Sequence, residues 1–248
     1  MAKRRTAVDE FMAVEDMSTF YGLTLDDEQK AYIKTIEEKP ITFVDAMAGT
    51  GKTTLAVGMA NILVKRGNYD KIIYVRCPCE EQTQGYLPGT VTEKSAVYFE
   101  ALYDAMITCG INPYTSLADS EDSIATCASY HYIFPITDTF TRGVNFSRAV
   151  VIVDEAQNFT FAKLKRVLTR VKDDCKVIVI GHSGQIDLYN ELDSGFAPYL
   201  GWARKFSKLC GVCMLTTNYR GEISKWADMA MDIRMYHCVE EENGEDTA

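Results

Sequence analysis

The chain has no run of about 20 apolar residues, the length that a helix needs to span a bilayer. It also lacks a recognisable signal peptide, because acidic residues interrupt the segment that would have to be apolar after the basic start Met1-Ala-Lys-Arg-Arg5. These acidic residues are Asp9, Glu10, Glu15 and Asp16. From the two absences we expect a cytoplasmic protein with no membrane partner.

The eight cysteines show no paired rhythm of the kind that indicates disulfides or a zinc site. Cys77 and Cys79 flank a proline, and Cys210 and Cys213 form a C-x-x-C. The two pairs lie far apart in sequence, no histidine stands at ligand spacing beside them, and zinc requires four ligands in a tetrahedral arrangement. We therefore favour reduced thiols that fill small spaces in the core over a zinc site.

Positive charge is in the minority, with 26 lysines and arginines against 35 aspartates and glutamates and a net charge of −9. This balance excludes a protein that binds nucleic acid through its global charge, but it leaves room for a local basic groove. Two basic clusters could be either such a groove or ordinary solvated helix faces, and we favour the second interpretation. The clusters are Lys163, Lys165, Arg166, Arg170 and Lys172, and then Arg204, Lys205 and Lys208.

A glycine-rich loop follows an apolar run at residues 41–44 and reads Ala-Met-Ala-Gly-Thr-Gly-Lys-Thr-Thr over residues 46–54. Gly49 and Gly51 let the backbone wrap a phosphate, Lys52 supplies a cation, and Thr53 places a hydroxyl where it can bind magnesium. Ala46 departs from the G-x-x-x-x-G-K-[ST] pattern, so the start of the loop must tolerate a Cβ atom. The predicted nucleotide contacts are Ala46, Met47, Ala48, Gly49, Thr50, Gly51, Lys52, Thr53 and Thr54.

A second motif, Val-Val-Ile-Val-Asp-Glu-Ala-Gln-Asn over residues 150–158, also ends an apolar run. Asp154 is placed to hold magnesium through water, and Glu155 is placed to orient and deprotonate the attacking water. A glycine-rich turn without chemistry would explain the first motif alone, but it does not explain a D-E-A-Q at a second strand end. The two motifs together predict a site that binds and hydrolyses a nucleotide with Mg²⁺.

Strands and helices alternate along the chain, which predicts an α/β fold with a parallel sheet and helices on both faces. We predict strands at 41–44, 71–75, 150–153, 176–180 and 211–215, and helices at 25–38, 52–65, 161–171 and 222–235. The 248 residues suit one domain at 25–238, with a polar insertion at 113–129 on the sheet edge. An N-terminal arm at 1–24 and an acidic, disordered tail at 239–248 flank it.

Two further predicted strand ends carry polar residues suited to the same chemistry. Gln185 follows the strand at 176–180 and is placed to sense the γ-phosphate or the attacking water. Arg220 follows the strand at 211–215 and can offer a guanidinium to charge that develops in the transition state. Ordinary strand-to-helix loops are the alternative explanation for both.

Several segments outside these general motifs resemble the PhoH family of phosphate-starvation-inducible ATPases, over about residues 25–220. They are Arg76, Pro78, Gly85-Tyr-Leu-Pro-Gly89, Lys94, Thr141-Arg-Gly143, Leu164, Thr169-Arg170 and Gln185-Ile-Asp-Leu188. The resemblance implies a RecA-like P-loop NTPase with a single core similar to that of superfamily 1 helicases. The compact size and the lack of a nuclease or RNA-binding appendage resemble a stand-alone phage or bacterial member.

The resemblance also implies roles for individual residues. Gln29 would read the adenine edge, and Arg142 would contact nucleic acid or a neighbouring subunit. Arg220 is similar to an arginine that helicase-like cores direct at the γ-phosphate, within its own subunit or across an interface. His182 stands where the family usually has an aspartate, so the resemblance does not carry over the inter-strand carboxylate contact of this motif, although Gln185 is retained.

Three functions remain open from the sequence. The first is an ATPase coupled to RNA or single-stranded nucleic acid; because the chain has one core, strand separation would need a homo-oligomer such as a hexameric ring. The second is a thymidine-type nucleoside kinase, which shares a P-loop and a D-E-x-Q-F segment but expects two C-x-x-C pairs after it, of which only Cys210 and Cys213 are present. The third is a slow nucleotide-dependent switch for a protein partner. Nuclease activity finds no support, because the obvious carboxylates are already assigned to the nucleotide.

Overall fold

Six strands form a single sheet in the computed structural model, which describes residues 19–78, 97–118, 131–141 and 143–226. The strands are β1 (Ile41–Ala46), β2 (Lys71–Arg76), β3 (Ile133–Thr137), β4 (Ala149–Asp154), β5 (Lys176–Gly181) and β6 (Cys210–Leu215). Their order across the sheet is β3-β2-β4-β5-β1-β6, and every pair is parallel. All strands therefore end at the same edge, where ligands bind in open α/β sheets.

The central strands are apolar on both faces because helices cover both sides of the sheet. Every residue of β4 and β5 is buried. Val150 and Ile152 pack on one face of the sheet, and Val151 and Val153 pack on the other, as the alternation of side chains along a strand requires.

Helices lie on both faces of the sheet, as the sequence predicts. They are α1 (Asp27–Glu38), α2 (Lys52–Lys65), α3 (Glu100–Thr108), the single turn α4 (Pro113–Ser116), α5 (Phe161–Leu168) and α6 (Phe196–Ala203), and residues 222–226 are also helical. The buried residues of α1, α2 and α3 join one hydrophobic core, and those of α5 and α6 join the core on the opposite face. The predicted α/β architecture is confirmed.

Local signals explain where the two helices next to the loop at 47–51 begin. Asp26 caps α1, because its side chain accepts from the backbone N–H of Gln29 at 2.7 Å while the Gln29 side chain accepts from the backbone N–H of Asp26 at 3.2 Å. Helix α1 therefore starts at Asp27, two residues later than predicted. Helix α2 has the predicted bounds, since Gly51 precedes it in a left-handed conformation.

Four of the named elements were not predicted from the sequence: β3, α3, α6 and the single turn α4, which lies where the polar insertion was predicted. Strand β3 contains Pro135, which cannot donate to a neighbouring strand and is tolerated because β3 lies at the edge of the sheet. Helix α5 is shorter than predicted and ends at Leu168, because Thr169 forms its C-cap and Val171 pairs with Phe146 in a short bridge. The prediction of a helix to residue 171 is wrong for this reason.

The segment before α1 contributes to the core. Phe20 is buried, and its ring lies so close to Gly58 of α2 that a Cβ atom there would meet it at 2.7 Å. The rest of the predicted N-terminal arm, most of the insertion at 113–129 and the acidic tail lie outside the described residues. Among the described helices, none has the length and apolar character needed to cross a membrane.

Candidate active site

The glycine-rich loop lies at the carboxyl edge of the sheet, between β1 and α2. Gly49 and Gly51 have φ angles of +73° and +79°, a region that side chains other than glycine rarely adopt. A Cβ atom on Gly49 would also lie 2.5 Å from the side-chain oxygen of Asn218 and 2.8 Å from Cγ of Arg220. The loop is therefore both wound tightly and covered closely, and glycine is required at residue 49 on both counts.

Ala46 explains how the loop tolerates its departure from the usual pattern. It is the last residue of β1, and its side chain is buried in the hydrophobic core beneath the loop, so the Cβ atom fills space that the fold already provides. Its carbonyl oxygen accepts from the ammonium of Lys52 at 3.3 Å. Thr50 braces the loop from within, because its hydroxyl donates to the Met47 carbonyl at 3.1 Å.

Thr53 and Asp154 meet beside the loop, as the two motifs predict. The Thr53 hydroxyl lies 3.5 Å and 3.3 Å from the two carboxylate oxygens of Asp154, which is fully buried. Asp154 also accepts from the backbone N–H of Glu155 at 3.0 Å and from the hydroxyl of Tyr74. The hydroxyl and carboxylate oxygens are the hard ligands that Mg²⁺ prefers, so these residues fit the ion that the motifs imply.

Burial and neighbouring charges act in opposite directions on Asp154. Burial raises the pKa of its carboxyl group, and the adjacent Glu155 carboxylate acts in the same direction. The hydrogen bond from Tyr74 and the positive charges of Lys52 and Arg76 lower the pKa and favour the ionised form. Burial outweighs the donors and cations, so the pKa of the Asp154 carboxyl group is raised overall.

Glu155 has an unusual backbone and a held side chain. Its φ and ψ of 52° and 45° are left-handed, which is uncommon for a residue with a side chain and tends to occur at functional sites. The side-chain amide of Gln157 donates to the Glu155 carboxylate at 2.6 Å, while the Gln157 amide oxygen accepts from the backbone N–H of His182 at 3.0 Å. Gln157 therefore links the second motif to the end of β5.

The loop after β5 is tied to its neighbours by two pairs of contacts. Asn158 and Asp187 exchange two hydrogen bonds, at 3.0 Å and 2.9 Å. Ser183 donates from its backbone N–H and its hydroxyl to the carboxylate of Asp45 in β1, at 2.9 Å and 2.7 Å. A carboxylate of β1 therefore contacts the loop after β5, and this contact does not involve the side chain of His182, the residue that stands where the family usually has an aspartate. Gln185 lies exposed in the same loop.

The segment after β6 lies directly on the glycine-rich loop of the same chain. The backbone N–H of Tyr219 donates to the Gly49 carbonyl at 2.8 Å, and the backbone N–H of Arg220 donates to the Asn218 side chain at 2.8 Å. The methylene groups of Arg220 pass over Gly49, so the start of its side chain lies against the loop. Glu28 anchors the beginning of this segment by accepting two hydrogen bonds from Thr216, at 2.7 Å and 2.9 Å.

Gln29 lies against the loop, but within the protein both ends of its amide group are engaged. Its nitrogen donates to the Thr50 carbonyl at 3.0 Å, and its oxygen accepts from the backbone N–H of Asp26. The side chain is mostly buried. These contacts support the position of the loop, and the predicted reading of adenine by Gln29 remains a prediction.

The structure brings most of the predicted site residues to one place and adds others. The carboxyl ends of β1 and β4 are surrounded by the loop at 46–54, Gln29, Asp154, Glu155 and Arg220. Arg142 and the segment 85–94 lie outside the described residues. The sequence did not identify Tyr74 and Asp45 as site residues, because each lies in or next to an apolar run, and such a run predicts only a buried strand. Gln157 carried a signal, since it belongs to the D-E-A-Q sequence.

Lys163, a member of the first basic cluster, has partners inside the fold. Its ammonium lies 3.3 Å from the sulfur of Cys77 and 3.9 Å from the carboxylate of the buried Asp138. Lys165 and the three residues of the second cluster are exposed. The first cluster is therefore not a uniform solvated face.

Comparison with known proteins gives consistent matches. The family model described as PhoH-like protein matches residues 24–230. Protein PhoH of Escherichia coli (strain K12) is 34% identical over 191 residues, which are 76% of this chain and 52% of that protein. A PhoH-like protein of Synechocystis sp. is 37% identical over 168 residues, 67% of this chain and 48% of that protein.

Among solved structures, the large terminase of a thermophilic bacteriophage matches 84% of this chain and 50% of its own chain, with a TM-score of 0.56 and 10% identity. At that identity the likeness concerns the fold alone. This chain spans about half the length of the relatives that it matches. Since the family model covers most of the sequence, the chain belongs to the PhoH-like protein family.

Proposed function

We propose that this protein binds ATP together with Mg²⁺ at the carboxyl edge of its sheet and hydrolyses it. The observation that carries the proposal is the approach of the Thr53 hydroxyl to within 3.3 Å of the buried Asp154 carboxylate, beside a loop wound for phosphate. The glycine-rich loop alone would support binding of ATP but not its hydrolysis. The further presence of Glu155, held by Gln157 next to that pair, favours hydrolysis.

The residues divide the work of binding. Backbone N–H groups of the loop and the start of α2 face the phosphates, and the Lys52 ammonium exchanges its contact with the Ala46 carbonyl for the outer phosphates. Thr53 and Asp154 would hold Mg²⁺, which when bound neutralises charge on the phosphate oxygens. Gln29 maintains the loop through Thr50, so we propose that it contributes to affinity through the loop as well as through the base.

Glu155 is the group that we assign to the attacking water. As the water oxygen bonds to the γ-phosphorus, a proton passes to the Glu155 carboxylate, and the bond from the γ-phosphorus to ADP breaks. Gln157 keeps that carboxylate from turning away, because it donates to one oxygen and is itself fixed by the backbone of His182. Gln185, exposed in the same loop, is proposed to contact the water or the γ-phosphate.

Arg220 is proposed to act within its own subunit. Its methylene groups already lie over Gly49, and the backbone contact of Tyr219 with the Gly49 carbonyl fixes the segment there. An arginine in this position reaches the transition-state charge without a neighbouring chain. Mixing Arg220→Ala subunits with Glu155→Gln subunits should then restore no activity, whereas recovered turnover would indicate action across an interface.

Coupling to RNA or single-stranded nucleic acid is proposed from the sequence resemblance to helicase-like cores. The exposed basic residues of the second cluster, Arg204, Lys205 and Lys208, are consistent with a local anionic partner on a chain of net charge −9. Because the chain has one core, a homo-oligomer such as a hexameric ring would supply the second core that strand separation needs.

The thymidine-kinase alternative loses support from the placement of its expected zinc ligands. Cys210 and Cys213 both lie in β6, three residues apart, so they point to opposite faces of the sheet, and each packs against a different core. Two side chains on opposite faces of a strand cannot bind one ion. The ATPase proposal does not need these cysteines.

Steady-state ATP hydrolysis tests the proposal. The protein is assayed with Mg²⁺ alone and with single-stranded RNA, single-stranded DNA or thymidine added, with Glu155→Gln as the control. We expect turnover that a polynucleotide stimulates and that Glu155→Gln abolishes. Phosphate transferred to thymidine would establish the kinase instead, and nucleotide binding without turnover in any condition would favour the switch.

A further inference from the structure

Tyr74 reaches the predicted magnesium ligand from a neighbouring strand. It lies opposite Ile152 in the pairing of β2 with β4, and Asp154 comes two residues after Ile152, on the same face of the sheet. Such diagonal neighbours are within reach of a long side chain. The Tyr74 hydroxyl donates a hydrogen bond to one oxygen of Asp154, and the Tyr74 ring packs edge-on against Phe99, with centroids 6.1 Å apart.

Burying the hydroxyl of Tyr74 would cost free energy if it did not donate a hydrogen bond to Asp154. The side chain is fully buried among apolar residues, where phenylalanine would fill the same space without a polar group to desolvate. Tyr32 offers a contrast in the same core: it is equally buried, but within the part of the chain that the structure describes its hydroxyl has no hydrogen-bond partner. Of these two buried tyrosines, Tyr74 is the one whose hydroxyl contacts the site.

We propose that Tyr74 is a positioning residue that holds the Asp154 carboxylate in the orientation required to bind Mg²⁺. Three donors fix that carboxylate: Tyr74 and Thr53 approach one oxygen, and the backbone N–H of Glu155 approaches the other. Without the Tyr74 hydroxyl the carboxylate can rotate about its terminal bond and lose its alignment with Thr53. Residues that orient metal ligands in this way commonly change metal affinity by about 10- to 100-fold when they are removed.

This inference rests on the proposed function, and its test separates the metal from the nucleotide. Binding of a fluorescent ATP analogue is measured in EDTA and then as a function of Mg²⁺ concentration, for the wild type, Tyr74→Phe and Tyr32→Phe. Tyr74→Phe should leave the affinity in EDTA unchanged and raise the Mg²⁺ concentration at the midpoint by about 10- to 100-fold. Tyr32→Phe, which removes a buried hydroxyl that makes no hydrogen bond among the described residues, should leave both values unchanged.

The possible failures are distinguishable. A Mg²⁺ midpoint that is the same in Tyr74→Phe and the wild type would overturn the role of Tyr74 and leave the proposed ATPase intact. An equal shift in Tyr32→Phe would also overturn it, because the effect would then come from the core in general. A wild-type protein whose nucleotide binding does not depend on Mg²⁺ would overturn both proposals. Melting temperatures of the two variants, measured in EDTA, verify that each remains folded.

Discussion

Two lysines at opposite edges of the sheet show how differently the two regions use charge. Lys176 begins β5 at the amino edge and is almost fully buried, and its ammonium donates to the carbonyl oxygens of Ile36, Glu37 and Lys39 at the end of α1. Lys52 begins α2 at the carboxyl edge, is only half-buried, and donates to one carbonyl, that of Ala46, at 3.3 Å. One lysine is committed to the fold, and the other retains donors for a ligand.

Other charged groups follow the same division. At the amino edge Arg148 donates two hydrogen bonds of 2.8 Å to Asp70, and Arg66 pairs with Glu37 at 2.8 Å. At the carboxyl edge Thr53, Asp154 and Glu155 lie beside the glycine-rich loop, where we propose that ATP binds. For the two lysines, the number of hydrogen bonds that each makes among the described residues separates the structural cation from the one that we propose binds ATP.

The largest effect is expected for Glu155→Gln. Loss of the base should lower ATP turnover by about 10²- to 10⁴-fold while ATP affinity stays within about twofold, because the substitution keeps the shape of the side chain. Turnover in single-turnover assays and equilibrium binding are the measurements. An equal loss of binding would contradict the separate role that we assign to this residue.

Lys52→Ala should lower ATP affinity by about 10- to 100-fold, since a charge-assisted hydrogen bond to phosphate is lost. The unfolding free energy should change by about 1 kcal/mol or less, because among the described residues Lys52 makes one long hydrogen bond. Titration with a fluorescent nucleotide and urea unfolding measure the two quantities. A large loss of stability would instead show that Lys52, like Lys176, mainly stabilises the fold.

Lys176→Met should give the opposite result. Three carbonyl oxygens lose their donor, so the unfolding free energy should fall by about 1–3 kcal/mol. ATP affinity should be unchanged, because the substitution lies at the far edge of the sheet. Weakened nucleotide binding in a variant that remains folded would contradict the division between the two edges.

Gln157→Leu should lower turnover by about 10- to 100-fold and leave ATP affinity unaltered, because the Glu155 carboxylate loses the amide that holds it. The matched control is Asn158→Asp, which alters the neighbouring contact with Asp187 but leaves the bridge from Gln157 intact. Equal turnover in Gln157→Leu and the wild type would contradict the proposal that Gln157 holds the Glu155 carboxylate for catalysis.

The last prediction concerns pH. Burial lowers the pKa of Lys176 to about 8 from an ordinary value of 10.5. Between these two pH values the unfolded state therefore binds more protons than the folded state. The contribution of Lys176 to stability thus rises as the pH increases above about 8. Below about pH 8 its contribution is constant. The difference in unfolding free energy between the wild type and Lys176→Met should therefore grow above pH 8, and a constant difference would contradict the lowered pKa.

Much of the fold and part of the candidate site could be predicted because the information is local. Continuous apolar runs mark β1, β2, β4, β5 and β6, and the glycine-rich loop and the D-E-A-Q motif each identify their own strand end. Strand β3 escaped prediction because Pro135 interrupts its pattern, and this residue is tolerated only through the position of β3 at the edge.

The contacts that the sequence did not predict depend on which strands are neighbours. Asp45 meets Ser183 because β1 lies beside β5, and Tyr74 meets Asp154 because β2 pairs with β4 in one register. A shift of one residue in that register would turn Tyr74 toward the other face relative to Asp154. No local pattern encodes these pairings, so the residues read only as core or as part of a strand.

Thermal unfolding with and without MgATP tests the difference between the two edges most directly, when it is measured on the wild type, Lys52→Ala and Lys176→Met. Saturating ATP at about 100 times its dissociation constant adds about 2.7 kcal/mol to the stability of a protein that binds it. We predict that Lys176→Met melts at a lower temperature but is stabilised by MgATP as much as the wild type. Lys52→Ala should melt near the wild type and gain only about 0.4–1.4 kcal/mol, because the same ATP concentration is then about 1 to 10 times its dissociation constant. Equal stabilisation of Lys52→Ala and the wild type by MgATP would contradict the assignment of the carboxyl edge as the ATP site.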